Sequence, residues 1–202
     1  MNDLAAQFGH IDIYLFDQLL RGRIELTDTI LDVGCGGGRN LAYLLRSGYD
    51  VYGTDANADA IASLRQTASA LAPKLPADHF RVEPAEAMTF PDHFADVVLC
   101  NAVLHFARDD AHFTAMLNGA WRVLKPGGLF FARLASSIGM EGRMRTLSGR
   151  RCLLPDGSQR YLVDEALLIR ETARLGGELL DPLKTTVVQD QRCMTTWVVR
   201  KG

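Results

Sequence analysis

Seven consecutive residues, Asp32-Val33-Gly34-Cys35-Gly36-Gly37-Gly38, carry the sharpest chemical signal in the chain. Glycines at a strand-to-helix turn bring bare backbone against a ligand, because no Cβ intervenes. Asp55 follows Gly34 by 21 residues, at the end of the next expected strand. A carboxylate there accepts hydrogen bonds from the two hydroxyls of a ribose. Together, loop and acid point to a nucleoside-bearing cofactor; the plainer alternative is a tight turn and a surface acid. A dinucleotide fingerprint wants a third glycine at position 39, where Arg39 stands, and a Walker phosphate loop is absent. Spacing of the G-x-G-x-G kind, with an aspartate two residues ahead, suits a ligand with little or no phosphate.

Elements must hold these residues in place. Residues 29–33 read as a strand running into the glycines. A helix follows from Arg39, with Leu41, Leu44 and Leu45 on one face and Gly48 as its stop. Residues 50–54 form the next strand. Asn57 caps a helix that carries Ile61, Leu64, Ala68 and Leu71 on one face and closes at Pro73 and Pro76. Further strands are expected at 79–83, 96–100 and 129–134, the second apolar enough to be buried on both faces. The helix over 111–124 ends at Lys125-Pro126-Gly127-Gly128, and a last helix spans 163–175. Strands near 178–183 and 195–200 lie too close for a helical crossover, so they should pair antiparallel at an edge. Such alternation implies an α/β fold: a doubly wound, mostly parallel, seven-stranded Rossmann-like sheet with helices on both faces and an antiparallel edge strand. Ligands of such sheets sit beyond the carboxyl ends of the strands at the switch point, where the glycine cluster falls.

Composition narrows the class. A length of 202 residues fits one domain, and 48% hydrophobic with 23% charged residues is ordinary globular usage. The net charge of −2 lacks the basic excess of a duplex binder, so no nucleic-acid partner is expected. Cys35, Cys100, Cys152 and Cys193 are scattered, which fits a reducing compartment, and His10, His79, His93 and His112 do not cluster, so no metal is expected. There is no basic leader at Met1 and no membrane-length apolar run, so a cytoplasmic protein without a membrane partner is expected. No helix face is marked as an interface, which leaves the oligomeric state open.

Residues 30–38 resemble the first motif of the class I S-adenosylmethionine-dependent methyltransferases. Asp55 matches the acid that follows their second strand, 94–105 looks like their fourth-strand segment, and Leu124-Lys125-Pro126-Gly127-Gly128 is similar to their turn before strand five. The matches come in order over residues 28–134, with a looser similarity to the tellurite-resistance type. The resemblance implies S-adenosylmethionine as cofactor, held by Asp32, Gly34, Cys35, Gly36 and Gly38 of the loop. It sets Asp55 on the ribose, Ala56, Ala85 and Glu86 near the adenine, and Asn101 near the sulfonium end. Pro84 stands where many relatives carry an aspartate, so Glu86 is taken as its substitute.

On this reading residues 1–27 form an N-terminal helical lid with Tyr14 as a cofactor contact, 28–134 the cofactor-binding core, and 135–202 the acceptor loop, last helix and edge strands. Arg21 and Arg23 are either partners for the methionine carboxylate or solvated. His105 follows the fourth strand, where an imidazole can take a proton from the acceptor; otherwise it fills the pocket wall. The segment 136–160 holds Arg143, Arg145, Arg150, Arg151 and Arg160, and it reads as a long loop over the acceptor site that favours an anionic or polar acceptor. The expected reaction is methyl transfer to a small-molecule nucleophile by in-line displacement. The alternative is a non-catalytic S-adenosylmethionine-binding sensor or partner subunit. An N-P-P-Y acceptor motif is absent after strand four, which disfavours nucleic-acid methylation.

Overall fold

The computed structural model describes residues 4–202; the first three residues of the expected lid lie outside the described residues. Two short helices, α1 (Leu4–Phe8) and α2 (Ile13–Leu20), lead in. The core then alternates as β1 (Thr29–Val33), α3 (Leu41–Arg46), β2 (Asp50–Asp55), α4 (Ala58–Leu71), β3 (Phe80–Val82), β4 (Ala95–Asn101), α5 (Asp110–Val123) and β5 (Leu124–Ala135). After it come β6 (Arg145–Ser148), β7 (Arg151–Leu153), β8 (Gln159–Tyr161), α6 (Glu165–Arg174), β9 (Gly177–Leu179), β10 (Lys184–Val188) and β11 (Arg192–Lys201). The expected caps are in place: Asn57 accepts from the Asp59 and Ala60 N–H groups ahead of α4, and Asp164 accepts from Leu167 ahead of α6.

The large sheet runs β10-β11-β5-β4-β1-β2-β3, with β9 also on β11. Pairings among β1 to β5 are parallel, and those of β11 with β5, β9 and β10 are antiparallel. Each central strand is apolar on both faces because each face has its own helices. Ile30, Val97, Leu99 and Phe131 pack with Leu15 of α2, Leu41 and Leu44 of α3 and Ile61 and Leu64 of α4. The alternate residues Leu31, Val98, Cys100 and Phe130 pack with Phe113 and Leu117 of α5 and Leu168 of α6. The chain leaves β1 toward β2 on one side and returns to β4 on the other. The switch point therefore lies between the carboxyl ends of β1 and β4.

Three expectations change. The expected antiparallel pairing of 178–183 with 195–200 is present as β9 on β11, but the edge hairpin is β10 with β11, which makes eight strands in the sheet instead of seven. Its turn places both Gln189 and Asp190 at positive φ, and the Gln191 N–H closes it on the Val188 carbonyl. No glycine marks that turn, so the sequence pattern passes over it. β5 begins at Leu124, so Lys125-Pro126-Gly127-Gly128 lies within an irregular strand start and not in a loop. Residues 136–160 are not one open loop either. They contain the antiparallel meander β6-β7-β8, which closes over its own small core of Ala135, Cys152, Leu154 and Leu162. Tyr161 anchors it, stacked on Phe113 and donating to Asp110 at 2.8 Å.

Candidate functional site

At the switch point β1 delivers the glycine turn. Gly34, Gly36 and Gly38 all sit at positive φ, and each does a different job. A Cβ on Gly34 would lie 2.4 Å from a Val103 methyl, so the turn packs directly on the segment after β4. At Gly38 it would lie 2.4 Å from Leu64, so this glycine lets the loop close on α4. Gly36 faces open space, with nothing within 4 Å of an added Cβ. Asp55 locks the turn: its carboxylate accepts from the Gly36 N–H at 2.9 Å and from the Asn57 N–H at 2.8 Å.

Two cavities flank this point and share Ala102 and Phe106. The first, about 320 Å³, is lined by Gly34, Asp55, Ala56, Ala85 and Glu86, among others. Glu86 accepts from His112 at 3.0 Å, because His112 Nδ1 already accepts the Arg108 N–H. Burial pushes the Glu86 carboxyl up, but hydrogen bonds from its own backbone and His112, with the Arg108 charge, outweigh it and hold the group below its ordinary range. The neighbouring Glu83 instead bonds the Thr89 N–H and hydroxyl.

The second cavity, about 330 Å³, is lined by Asn101, His105 and four arginines, with Ala102 and Phe106 as its shared wall. Both polar atoms of the Asn101 amide are buried, and among the described residues neither has a partner. Such an orphaned amide costs about 1–3 kcal/mol unless a ligand completes it. Ala102 reaches φ +63° while its N–H bonds the Arg133 carbonyl at 2.7 Å. A non-glycine residue held there carries strain, a frequent mark of functional sites.

Other expected residues lie elsewhere. The Cys35 side chain packs in the core beside Gly53, its N–H bonds the Thr54 carbonyl, and burial pushes its thiol pKa up, so it offers no thiolate. Asp32 is buried beneath the turn. Tyr14 lines neither cavity; its hydroxyl pairs with Thr186 at 2.7 Å and its ring lies 5.1 Å from the Arg133 guanidinium. It touches the site only through Arg133. Arg21 and Arg23 pair with Asp181, and Arg21 also with Asp17, away from both cavities. Arg150 pairs with Asp164 and Arg151 with Gln159, so of the five arginines expected over the acceptor only Arg160 lines the second cavity.

His105 takes a different role from the expected base. Its Nδ1 accepts the Ala135 N–H at 3.2 Å, so in the neutral ring Nε2 carries the proton and donates. Burial, with the Arg160 charge adding to it, pushes the pKa down to about 3. A ring so placed has no free lone pair for the acceptor's proton.

Asp32 yields a test of the loop's electrostatics. Burial raises its pKa to about 8, with Arg39 opposing and Asp55 adding to the rise. An unfolded aspartate titrates near ~4, so the stability carried by the protonated form is complete below ~4 and is lost as pH rises through about 8. Asp32→Asn should therefore gain stability over wild type from pH 5 to 8 and level off above that, read from urea midpoints. Midpoints that stay parallel from pH 5 to 9 would mean that Asp32 does not titrate in that window.

Residues 31–132 match the family model described as "Methyltransferase domain". The chain is 33% identical over 101 residues to an uncharacterized methyltransferase of Synechocystis, covering 50% of this chain and 44% of that protein. It is 38% identical over 102 residues to a ubiquinone biosynthesis O-methyltransferase of Psychrobacter cryohalolentis, covering 50% and 38%. The chain thus spans about two fifths of the length of these curated relatives. Among solved structures it resembles a Burkholderia thailandensis 1,6-didemethyltoxoflavin-N1-methyltransferase, with TM-score 0.71 and 18% identity, over 98% of this chain and 81% of that one.

Proposed function

The chain belongs to the methyltransferase-domain family, the class I S-adenosylmethionine-dependent methyltransferases, and from that premise we propose that it methylates a small molecule, with oxygen the first accepting atom to test. The observation that carries this reading is the pair of cavities meeting at Ala102 and Phe106, one lined by Gly34, Asp55 and Glu86 and the other holding an unsatisfied amide. The residues present fit the cofactor. The open space over Gly36 accepts a ligand without a side-chain clash, and Asp55 stands beside it with a carboxylate. In this arrangement Asp55 takes the ribose hydroxyls, Ala56, Ala85 and Glu86 border the adenine, and Gly34 and Gly36 lie along the methionine part. Asn101 serves the sulfonium end. When bound, S-adenosylmethionine supplies an already activated methyl group.

The chain's own task is then to position the acceptor and exclude water, which explains the lack of a strong acid–base constellation. A second cavity of about 330 Å³ suits a small acceptor. The relatives named as ubiquinone biosynthesis O-methyltransferases favour oxygen. The test has two stages: calorimetry with S-adenosylhomocysteine, then incubation with labelled S-adenosylmethionine and paired oxygen, nitrogen and sulfur acceptors. Micromolar product binding and label transfer to an oxygen acceptor are expected. Binding without transfer to any acceptor would return the chain to the sensor reading, and no binding at all would overturn the cofactor assignment.

A further inference from the structure

The second cavity carries a surplus of positive charge in a chain whose net charge is −2. Arg39, Arg133, Arg160 and Arg192 line it, and Asp156 is the single carboxylate among the lining residues. Arg133 is answered by Asp12 at 3.1 Å. Among the described residues, Arg39, Arg160 and Arg192 have no carboxylate within ion-pair distance. Asp156 acts on them through space and not by contact: one of its oxygens accepts the Ser158 N–H and hydroxyl at 2.9 and 2.6 Å. Burial pushes its carboxyl up, but these bonds, with the Arg192 and Arg160 charges, outweigh it and hold the group below its ordinary range. Arg160 is half-buried over the Phe106 ring, 4.8 Å from its centroid, and bonds the Gln159 carbonyl. Its planar fork is thus held against the cavity wall with donors to spare.

Apart from the exposed Asp156 carboxylate, the same wall offers donors and no base. His105 has Nδ1 occupied by the Ala135 N–H, so its other nitrogen donates. Asn101 adds an unpartnered amide. Cys193 is buried against the Ser136 hydroxyl at 3.1 Å. None of these groups takes a proton from a neutral alcohol or amine near pH 7. Cations and donors, with a low-pKa carboxylate as the one basic group, describe a site for something that arrives already deprotonated.

Resting on the methyl-transfer reading above, we propose that the acceptor is a small organic anion, gripped by Arg160 and Arg192 and methylated as its conjugate base. A lone pair of the anionic oxygen forms the new bond to the methyl carbon. The carbon–sulfur bond breaks with its pair going to sulfur, so the sulfonium becomes a neutral thioether and the acceptor a neutral methyl ester or ether. No proton is moved, and the charges of donor and acceptor cancel.

The cofactor's own carboxylate is a second anion that could meet these arginines, so the test separates the two. Protein saturated with S-adenosylhomocysteine is titrated calorimetrically with a set of small aliphatic and aromatic carboxylates and with their neutral amides. The wild type and the Arg160→Gln, Arg192→Gln double variant are compared, each checked for an unchanged circular-dichroism spectrum. At least one carboxylate should bind in the wild type at least tenfold tighter than its amide. The double variant should lose that preference, more steeply at low than at high salt, while S-adenosylhomocysteine affinity stays within twofold. Equal binding of acids and amides would overturn the proposal, as would no acid binding in a protein that still binds S-adenosylhomocysteine. A parallel loss of S-adenosylhomocysteine affinity in the double variant would assign the arginines to the cofactor and overturn it too. Failure of the wild type to bind S-adenosylhomocysteine is a separate result and strikes the parent reading.

Discussion

Gly34→Ala is expected to cost about 2–5 kcal/mol of folding stability, the sum of a left-handed backbone penalty of ~1–2 kcal/mol and an overpacking penalty of ~1–3 kcal/mol. The first part follows from φ +68°, which an alanine adopts only with strain. The second follows from the new methyl, which would sit 2.4 and 2.9 Å from the two Val103 methyls. Val103 is β-branched and cannot swing its methyls away by a distant torsion, so β1's turn and the segment after β4 must separate. Val103 also lines the first cavity, where the cofactor is proposed to bind, so affinity for S-adenosylhomocysteine should fall with stability. A double variant distinguishes the two penalties. In Gly34→Ala, Val103→Ala the steric part should return, giving a coupling of about 1–3 kcal/mol in urea denaturation, whereas the backbone part should stay. Strict additivity of the two single variants would show that the turn and Val103 do not press on one another.

The parallel core was legible because it rests on local signals that agree. The runs at β1, β2 and β4 are apolar on both faces, and Asn57 and Asp164 mark helix starts by side-chain chemistry. The glycine spacing and Asp55 were legible for the same reason: they lie within one strand–turn–helix unit and the strand after it. What escaped depends on long-range packing. The β10–β11 turn uses Gln189 and Asp190 at positive φ with no glycine to mark it, and β11's pairing with β5 holds the hairpin in place. The β6–β8 meander is short and polar, so its strands leave no apolar period to read.

The second cavity was legible only in part. Its lining comes from five separated stretches of the chain, so no sequence window contains it. Asn101 and His105 were found through their position after the fourth strand, but the role of His105 depends on the Ala135 N–H, thirty residues away in β5. One signal was available for Arg133: it is the lone charge in Leu-Phe-Phe-Ala-Arg-Leu-Ala, and a cation inside a buried strand needs a partner. The structure supplies Asp12, which also accepts the Tyr14 N–H, so α2 is tied to β5 by a charge pair instead of resting on the cofactor through Tyr14. The arginines of 136–160 show why composition does not give aim. Arg143 pairs with Asp190 and Arg150 with Asp164, and only Arg160 reaches the cavity wall.

Asp55→Ala is expected to weaken S-adenosylhomocysteine binding by about 1.5–3 kcal/mol, roughly 10–150-fold in Kd, the range for losing charge-assisted hydrogen bonds. The structure gives Asp55 two duties, and a loss of affinity alone does not separate them. Its oxygens accept the Gly36 and Asn57 N–H groups, so removing the carboxylate also loosens the glycine turn. A carboxylate has about four lone-pair sites, which leaves room for ribose hydroxyls beside the two backbone donors. The ligand can be cut instead of the protein. If Asp55 holds the ribose, the 2′-deoxy analogue of S-adenosylhomocysteine should bind wild type more weakly than the parent compound, and this difference should vanish in Asp55→Ala. If Asp55 only shapes the turn, the variant should weaken both ligands by the same factor and keep their difference. Asp55→Asn should fall between the two proteins, because an amide oxygen still accepts one backbone N–H while its NH2 faces the other donor. A deoxy penalty that survives intact in Asp55→Ala would remove Asp55 from the ribose and leave it as the brace of the turn.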